Sequence, residues 1–379
     1  MSKAAELAAL IGSQSSLANR NMIGNGAFNI WQKGFTNTTT ASGGGKPIDR
    51  WRNGQSNVGQ LSTETSRVAD SPDTFPGSYS LKLQVKTPED ALAANEDMTL
   101  LTKVEGTDCQ RLLYGTSNAK NTTLSFWVKS SIAGTFAVGI YQEDGNDNIS
   151  KPYTISSADT WEYKTITFPG NTAAAILDDN TTGLQIQWFI SIGSNSTGGS
   201  NGDVWHSYAD NTFAFGHVTN THITTDESTF QLTGVQFEMG YVVTPFEFKS
   251  FEENLAKCQR YYYQIGPFPA NAGRAKFGIF AVQDSNSGFT LIDLPVTMRA
   301  QPLLVYTGTA SDYSLYIMNQ HITATAGFTS GGDPAYHLGN KYFNLYTEHG
   351  TSGLNAGYVG QLSTANNNTS AFLGFDAEL

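Results

Sequence analysis

Apolar and polar residues alternate over most of residues 21–248, and a period of two puts one set of side chains on each face of a β-strand. Residues 78–86 set Tyr79, Leu81, Leu83 and Val85 against serine and lysine. The same pattern places Leu124, Phe126 and Val128 in 122–129, Phe136, Val138 and Ile140 in 134–141, and Leu184, Ile186, Trp188 and Ile190 in 184–190. In 229–238 the apolar phase slips once, from Phe230 and Leu232 to Val235 and Phe237 across Gly234, as it does where a glycine bulge admits an extra residue. Runs rich in Gly, Asn, Ser and Thr, such as 36–45 and 193–202, read as turns. Many short antiparallel strands with polar loops predict a jelly-roll β-sandwich over residues 21–249.

Two helices interrupt the alternation. Residues 2–11 place Leu7, Leu10 and Ile11 at i, i+3, i+4 ahead of Gly12. So short a helix does not hold alone in water, so this part of a 1–20 attachment segment is expected to dock on sister chains or another protein. In 250–263, Ser250 and Glu253 form a capping box, and Phe251, Leu255, Cys258 and Tyr262 fall at i, i+4, i+7, i+11. This predicts a connector helix with Cys258 on its buried stripe. Strand patterns return at 277–283, 302–306, 342–346 and 370–375, predicting a second, smaller β-sandwich over 264–379. The expected fold class is therefore mainly β, with a short N-terminal helix, a jelly roll, a connecting helix and a C-terminal sandwich.

Composition removes several classes of function. Charged residues make up 15% of the 379, against roughly 25% in ordinary globular chains, which excludes a long coiled coil. An aromatic content of 12% is too rich for disorder. A net charge of −11 gives no basic footprint for nucleic acid or an anionic membrane. Membrane insertion is not expected, since no apolar run is long enough to span a bilayer. Glu6 interrupts what would be a signal-peptide core, so export by the usual route is not expected either. Cys109 and Cys258 are too far apart for a zinc knuckle and are expected to be unpaired, as in a reducing cytoplasm.

Catalytic motifs are sparse. Gly198-Gly199-Ser200-Asn201-Gly202 matches G-x-S-x-G, but no helix pattern follows the serine, and the run reads as a flexible loop. Gly43-Gly44-Gly45-Lys46 meets Pro47 where a phosphate loop needs Ser or Thr, and reads as a turn. His206, His217 and His222, among Asp203, Asp210 and Asp226, lack transition-metal spacing. No cofactor is expected, and a structural Ca²⁺ on loop oxygens is the ion these loops suit best. Asp178-Asp179 and Glu252-Glu253 are adjacent in sequence, whereas glycoside hydrolysis needs carboxylates roughly 5–10 Å apart across a cleft. Aromatic faces beside polar arms remain, the chemistry that a sugar ring asks of a surface. One such set is Trp205, His206, Tyr208 and Asp210; the other is Tyr313, Tyr316, Tyr336, Tyr342 and Tyr346. The second set ranks first, because a chain anchored at its N-terminus presents its C-terminal domain outermost.

The chain also carries ordered motifs. Asn25-Gly26-Ala27-Phe28-Asn29-Ile30-Trp31-Gln32-Lys33-Gly34, Asp49-Arg50-Trp51, Leu124-Ser125-Phe126-Trp127-Val128-Lys129-Ser130, Gly234-Val235-Gln236-Phe237-Glu238-Met239-Gly240, Thr244-Pro245-Phe246-Glu247 and Cys258-Gln259-Arg260-Tyr261-Tyr262 succeed one another in that order. Together they resemble a family of bacteriophage tail-fibre and virion structural proteins whose first module is similar to jelly-roll carbohydrate-binding modules. Leu294-Pro295-Val296-Thr297-Met298-Arg299-Ala300 and Phe375-Asp376-Ala377-Glu378-Leu379 resemble segments C-terminal to that module in the same proteins. Met1-Ser2-Lys3-Ala4-Ala5-Glu6-Leu7-Ala8 resembles N-termini on structural proteins of phages infecting cyanobacteria and other marine bacteria.

The resemblance implies a non-enzymatic tail fibre or receptor-binding protein, made in the host cytoplasm and placed on the virion. It implies a homotrimer that targets a host-surface polysaccharide and meets other tail, baseplate or capsid proteins through Leu7, Leu10 and Ile11. A capsid-decoration or baseplate protein without glycan binding is the alternative, and a glycan depolymerase the weaker one. The motifs also have a plain physical reading. Asp49-Arg50-Trp51 can be an ion pair capped by an indole, and Gln236 with Glu238 can satisfy backbone groups at a sandwich rim.

Overall fold

Each stretch marked by alternation is a strand with one face to bury. The computed structural model describes residues 19–34, 36–198, 202–209, 212–267, 273–307, 309–318, 320–324, 339–348, 355–365 and 368–379. Leu7, Leu10 and Ile11 lie outside them. The chain divides into two units, one running to Asn254 and the other Leu255–Glu378.

The first unit contains β1 (Asn37–Thr40), β2 (Gly43–Ile48), β3 (Trp51–Ser56), β4 (Ser62–Val68), β5 (Ser80–Thr87), β6 (Asp97–Glu105), β7 (Thr122–Ser130), β8 (Gly134–Gln142), β9 (Asp147–Ile155), β10 (Glu162–Phe168), β11 (Thr182–Ile192), β12 (His206–Ser207) and β13 (Thr229–Met239). They form a six-stranded sheet, β1-β4-β5-β13-β7-β10, and a seven-stranded sheet, β12-β9-β8-β11-β6-β3-β2. The pairings are antiparallel, giving a jelly-roll sandwich. One core fills it, centred on Trp51 and Trp188, whose rings lie 5.5 Å apart, with Phe28 and Phe126 against them.

The runs at 36–45 and 43–46 are not simply turns: Asn37–Thr40 and Gly43–Ile48 are strands. Glycine leaves no apolar pattern to read, yet it suits this edge. A Cβ on Gly44 would sit 2.6 Å from the Asn53 carbonyl oxygen, and Gly45 N donates to Asn53 Oδ1.

The bulge at Gly234 is present. Between Thr233 and Gln236, β13 slips against β7, and Gly234 takes φ +58°. A Cβ there would lie 2.9 Å from Phe75 Cε2 and 3.1 Å from Trp127 Cδ1. Left-handed backbone strain and overpacking act together, so Gly234→Ala is expected to destabilise the first unit by about 2–4 kcal/mol. Denaturant titration followed by tryptophan fluorescence checks this, and a change below about 1 kcal/mol would contradict it.

Asn21 and the ordered motifs that follow it form a polar brace. Asn21 Nδ2 donates to Val235 O, while Asn21 Oδ1 accepts from Ile23 N and Phe237 N. Asn25 clasps its own loop and Asp49 O. Asp49 accepts from Gln32 backbone and side chain, and Arg50 donates to Lys103 O, so Asp49-Arg50-Trp51 ties segments together while Trp51 fills the core. Gln236 and Glu238 hold Thr244 and Glu247, as the rim reading requires.

Glu253 N donates to Ser250 Oγ (3.1 Å), capping a helix over Phe251–Gln259. The helix stops before Tyr262, and only its last turn is dry: Cys258 is buried, whereas Phe251 is 58% exposed. No disulfide joins Cys109 and Cys258.

The second unit is a smaller antiparallel assembly. Its strands are β14 (Tyr262–Ile265), β15 (Lys276–Val282), β16 (Ser287–Asp293), β17 (Leu303–Tyr306), β18 (Tyr313–Ile317), β19 (Gln320–Thr323), β20 (Tyr342–Glu348), β21 (Val359–Thr364) and β22 (Leu373–Asp376). They form sheets β14-β22-β17 and β19-β18-β21-β15-β16-β20 around a core that includes Phe280, Phe343, Leu362 and Phe375.

Candidate functional site on the outer face of the jelly roll

Strand parity builds the site. On β8, Phe136, Val138 and Ile140 point into the core, so Ala137, Gly139 and Tyr141 point outward. On β11, Trp188 and its partners point inward, which sends Gln185, Gln187 and Phe189 outward. Register then aligns Tyr141, Gln185 and Lys103 on three neighbouring strands, and Gly139, Gln187, Leu101 and Arg52 on four.

The connection from β11 to β13 folds back over one side of this face. Asn148 Nδ2 donates to Thr212 O, and Phe215 N to Ser150 Oγ, both at 2.8 Å. The fold-back creates a small apolar cluster with Ala137, Phe189 and Ala214, separate from the main core. It also creates a chain of rings. Phe189 meets Phe213 at 5.0 Å between centroids, Phe213 meets Tyr208 at 5.3 Å, and Tyr208 meets Tyr141 at 5.3 Å, all steeply inclined. Such edge-to-face contacts fix ring orientation. Asn146 braces the outer pair: it accepts the Tyr141 hydroxyl on Oδ1 at 2.9 Å and Tyr208 N on its carbonyl at 2.7 Å. Tyr208 is 39% exposed and Tyr141 half-buried.

Beside the rings lie amides and cations. Gln185 Nε2 donates to Gln187 Oε1 (2.8 Å), and Lys103 Nζ lies 3.3 Å from Thr182 Oγ1 and 3.7 Å from Glu143 Oε2. Burial lowers the Lys103 ammonium, Glu143 opposes that, and Arg52 and Lys46 add to it. Burial, with the Glu143 charge, raises the Tyr141 hydroxyl, which stays a donor at neutral pH.

The sequence candidates separate on this frame. Tyr208 belongs to the ring chain. Trp205 turns toward the sandwich, packing on the main core, with Nε1 donating to Pro169 O (2.8 Å) and Tyr114 edge-on at 5.7 Å. His206 is half-buried in β12, paired with Asn148. Asp210 lies outside the described residues. An open cleft of about 510 Å³ borders the same connection, lined by Lys151, Pro152, Thr165, Thr167, Asp203 and Phe215. Its Lys151 and Asp203 are ion-paired at 2.6 Å, so they satisfy each other.

The terminal tyrosines do not form one surface. Tyr313 is fully buried and its hydroxyl donates to Phe372 O at 2.6 Å, so it is a core residue and cannot present its ring to a sugar. Tyr316 stands on β18 against the His321 ring, whereas Tyr342 and Tyr346 stand on β20. Three strands separate β18 from β20, placing them about 19 Å apart at the usual strand spacing. Tyr336 lies outside the described residues. Sequence proximity carries no information on strand order, and strand order keeps these tyrosines apart.

His217 and His222 both pack on Phe136 at the sandwich end, away from any surface. Among the described residues, no three His, Cys, Asp or Glu side chains gather as metal ligands. No helix among them is long and apolar enough to cross a membrane. Tyr141, Gln185 and Gln187 were findable from parity alone: the alternation that sends their neighbours inward sends them out.

No family model matches the chain, and no curated protein matches it. Similar solved structures include the enzymatically active domain of tailspike protein 4 of bacteriophage CBA120, at 12% identity, 58% of this chain, 21% of that one and a TM-score of 0.32. Another is the module TmCBM61 in complex with β-1,4-galactotriose, at 10% identity, 58% of this chain, 99% of that one and a TM-score of 0.28. A third is the family 11 carbohydrate-binding module of the cellulosomal cellulase Lic26A-Cel5E of Clostridium thermocellum, at 12% identity, 55% of this chain, 97% of that one and a TM-score of 0.28. The match to the tailspike thus takes in about a fifth of that chain.

Proposed function

We propose that the chain is a non-enzymatic virion protein, a tail fibre or receptor-binding protein that holds a host-surface glycan on the outer face of its jelly roll. The observation that carries the glycan reading is the Phe189-Phe213-Tyr208-Tyr141 ring chain, which ends on an open face beside Gln185 and Lys103. Fixed rings offer C–H faces a stacking surface, and neighbouring amides and cations reach hydroxyls. The virion placement rests on the ordered motifs from Asn25 to Tyr262. In this reading the chain acts as a homotrimer, Leu7, Leu10 and Ile11 join it to other virion proteins, and no cofactor takes part.

Binding to host-surface polysaccharide, measured by affinity electrophoresis, tests it. Tyr208→Ala and Tyr141→Ala should each weaken binding about tenfold, corresponding to about 1.4 kcal/mol of lost stacking, with the melting curve of the first unit retained. Undiminished binding by the double variant sinks this site. Failure of the whole chain to bind glycan leaves the structural decoration reading in its place.

A further inference from the structure

Resting on that reading, we propose that the glycan held on this face is anionic, carrying carboxylate or sulfate groups that sit over Arg52 and Lys103. The Arg52 side chain makes no hydrogen bond or ion pair with any described residue, and its Nε is buried without a partner. With no partner inside the fold, the guanidinium is uncommitted and can take an arriving acceptor. Lys103 lies diagonally across from Arg52 on the neighbouring strand, since Leu101 is Arg52's direct partner. Its attachment to Glu143 is long, at 3.7 Å, and Glu143 is half exposed, so an incoming anion can replace it. From Tyr141 on β8 to Arg52 on β3 the face runs about 14 Å, room for one sugar on the rings and a neighbouring residue's acid on the cations.

The test is a panel of matched glycans: polygalacturonate with its methyl ester, and carrageenan with agarose, read alongside the host polysaccharide on the full chain. The acidic member of the preferred pair should bind at least tenfold more tightly, and the margin should shrink as salt rises. Arg52→Gln removes no hydrogen bond or ion pair from the fold and should remove most of that margin. Preference for the carboxylate or the sulfate pair distinguishes the two anion sources. Equal, salt-independent binding of acidic and neutral forms overturns the anionic assignment and leaves the glycan platform standing. No binding to any glycan overturns the platform itself.

A different surface, independent of glycan, lies on the second unit. On the outer face of its six-stranded sheet, Val359, Ala281, Phe289 and Tyr346 form one row across four strands. Ile279 opposite Gln361 and Leu291 opposite Asn344 lie two residues further along. Ile279, Leu291 and Val359 are 68%, 56% and 65% exposed. With the half-buried rings they offer roughly 400 Å² of apolar surface, a patch of the size that marks an interaction site. At the apolar share of homodimer interfaces this corresponds to roughly 600 Å² per partner, the lower end of the standard interface size. No charged residue stands within these two rows.

We infer that a second copy of this chain covers this face. An identical chain is present wherever the protein folds, and closed symmetric assembly is its usual outcome. Light scattering of the full chain should give a whole multiple of the chain mass, and Ile279→Lys with Leu291→Lys should reduce it to one. Both side chains point outward, so far-UV circular dichroism should be unchanged; Val359→Lys is the second variant should the first pair misfold. A wild-type chain at single mass, or folded variants that keep the multiple, overturns the inference.

Discussion

Trp188→Ala is expected to lower the melting of the first unit by on the order of 10 °C and to leave the second unit's transition in place. Trp188 is fully buried, 5.5 Å from the Trp51 ring and 5.5 Å from Phe126, which meets it edge-on. Truncating so large a core side chain costs about 3–5 kcal/mol, the lost transfer energy plus the cavity left behind. In a domain of this size each kcal/mol moves the midpoint by about 2–4 °C. The two hydrophobic cores share no residue, so the cavity opens in the first core alone. The chain supplies its own reporter, because all six tryptophans, from Trp31 to Trp205, lie in the first unit. Tryptophan fluorescence therefore tracks that unit alone, and far-UV circular dichroism tracks both. One transition, moving as a whole in both signals, would refute independent cores.

What each strand buries decides whether it could be read from sequence. β5 and β8 carry continuous apolar alternation because one face of each is dry, with Leu81, Leu83 and Val85 in the first and Phe136, Val138 and Ile140 in the second. β2 and β4 hide from that signal. β2 opens on glycines, and the inward residues of β4 are Thr63 and Thr65, the former donating to Gln55 Oε1 inside the sandwich. The ordered motifs marked the jelly roll correctly, yet residues in them such as Asn25, Asp49 and Glu238 prove to hold chain segments together. The site was half visible. Tyr208 stands in a polar loop beside Trp205, but its ring partners come from positions 141 and 213, and the cations from 52 and 103. Strand register brings positions 52, 103 and 141 together, and register has no one-dimensional trace.

Acidification from pH 7 to 4.5 is expected to cost the first unit about 3 kcal/mol, and removal of two histidines to abolish that loss. Burial pushes His217 down to about 4, against its hydrogen bond with the Phe189 carbonyl. Burial, with His217 nearby, pushes His222 down to about 3. In the unfolded chain both titrate near 6.5, so below that pH the unfolded state binds more protons than the folded one, and stability falls as pH falls. At pH 4.5 the pair costs about 5 kcal/mol. Asp97 acts in the opposite direction. Burial raises it to about 6, against its hydrogen bond from Ser56, so the folded state takes up this proton first and regains about 2 kcal/mol by pH 4.5. Carboxylates held low, such as Asp70 and Glu247, lose their contribution mainly at still lower pH. A net loss of this size is a large fraction of the 5–15 kcal/mol typical of a folded domain. Gln at positions 217 and 222 retains hydrogen-bonding capacity and cannot titrate, so denaturant titrations of His217→Gln with His222→Gln should find stability flat or rising toward pH 4.5 as Asp97 acts alone. Adding Asp97→Asn should then stabilise the protein above pH 6, by roughly 2–3 kcal/mol at pH 8, and make no difference below pH 4. An acid loss in the double variant as steep as in the wild type would assign the sensitivity to other groups.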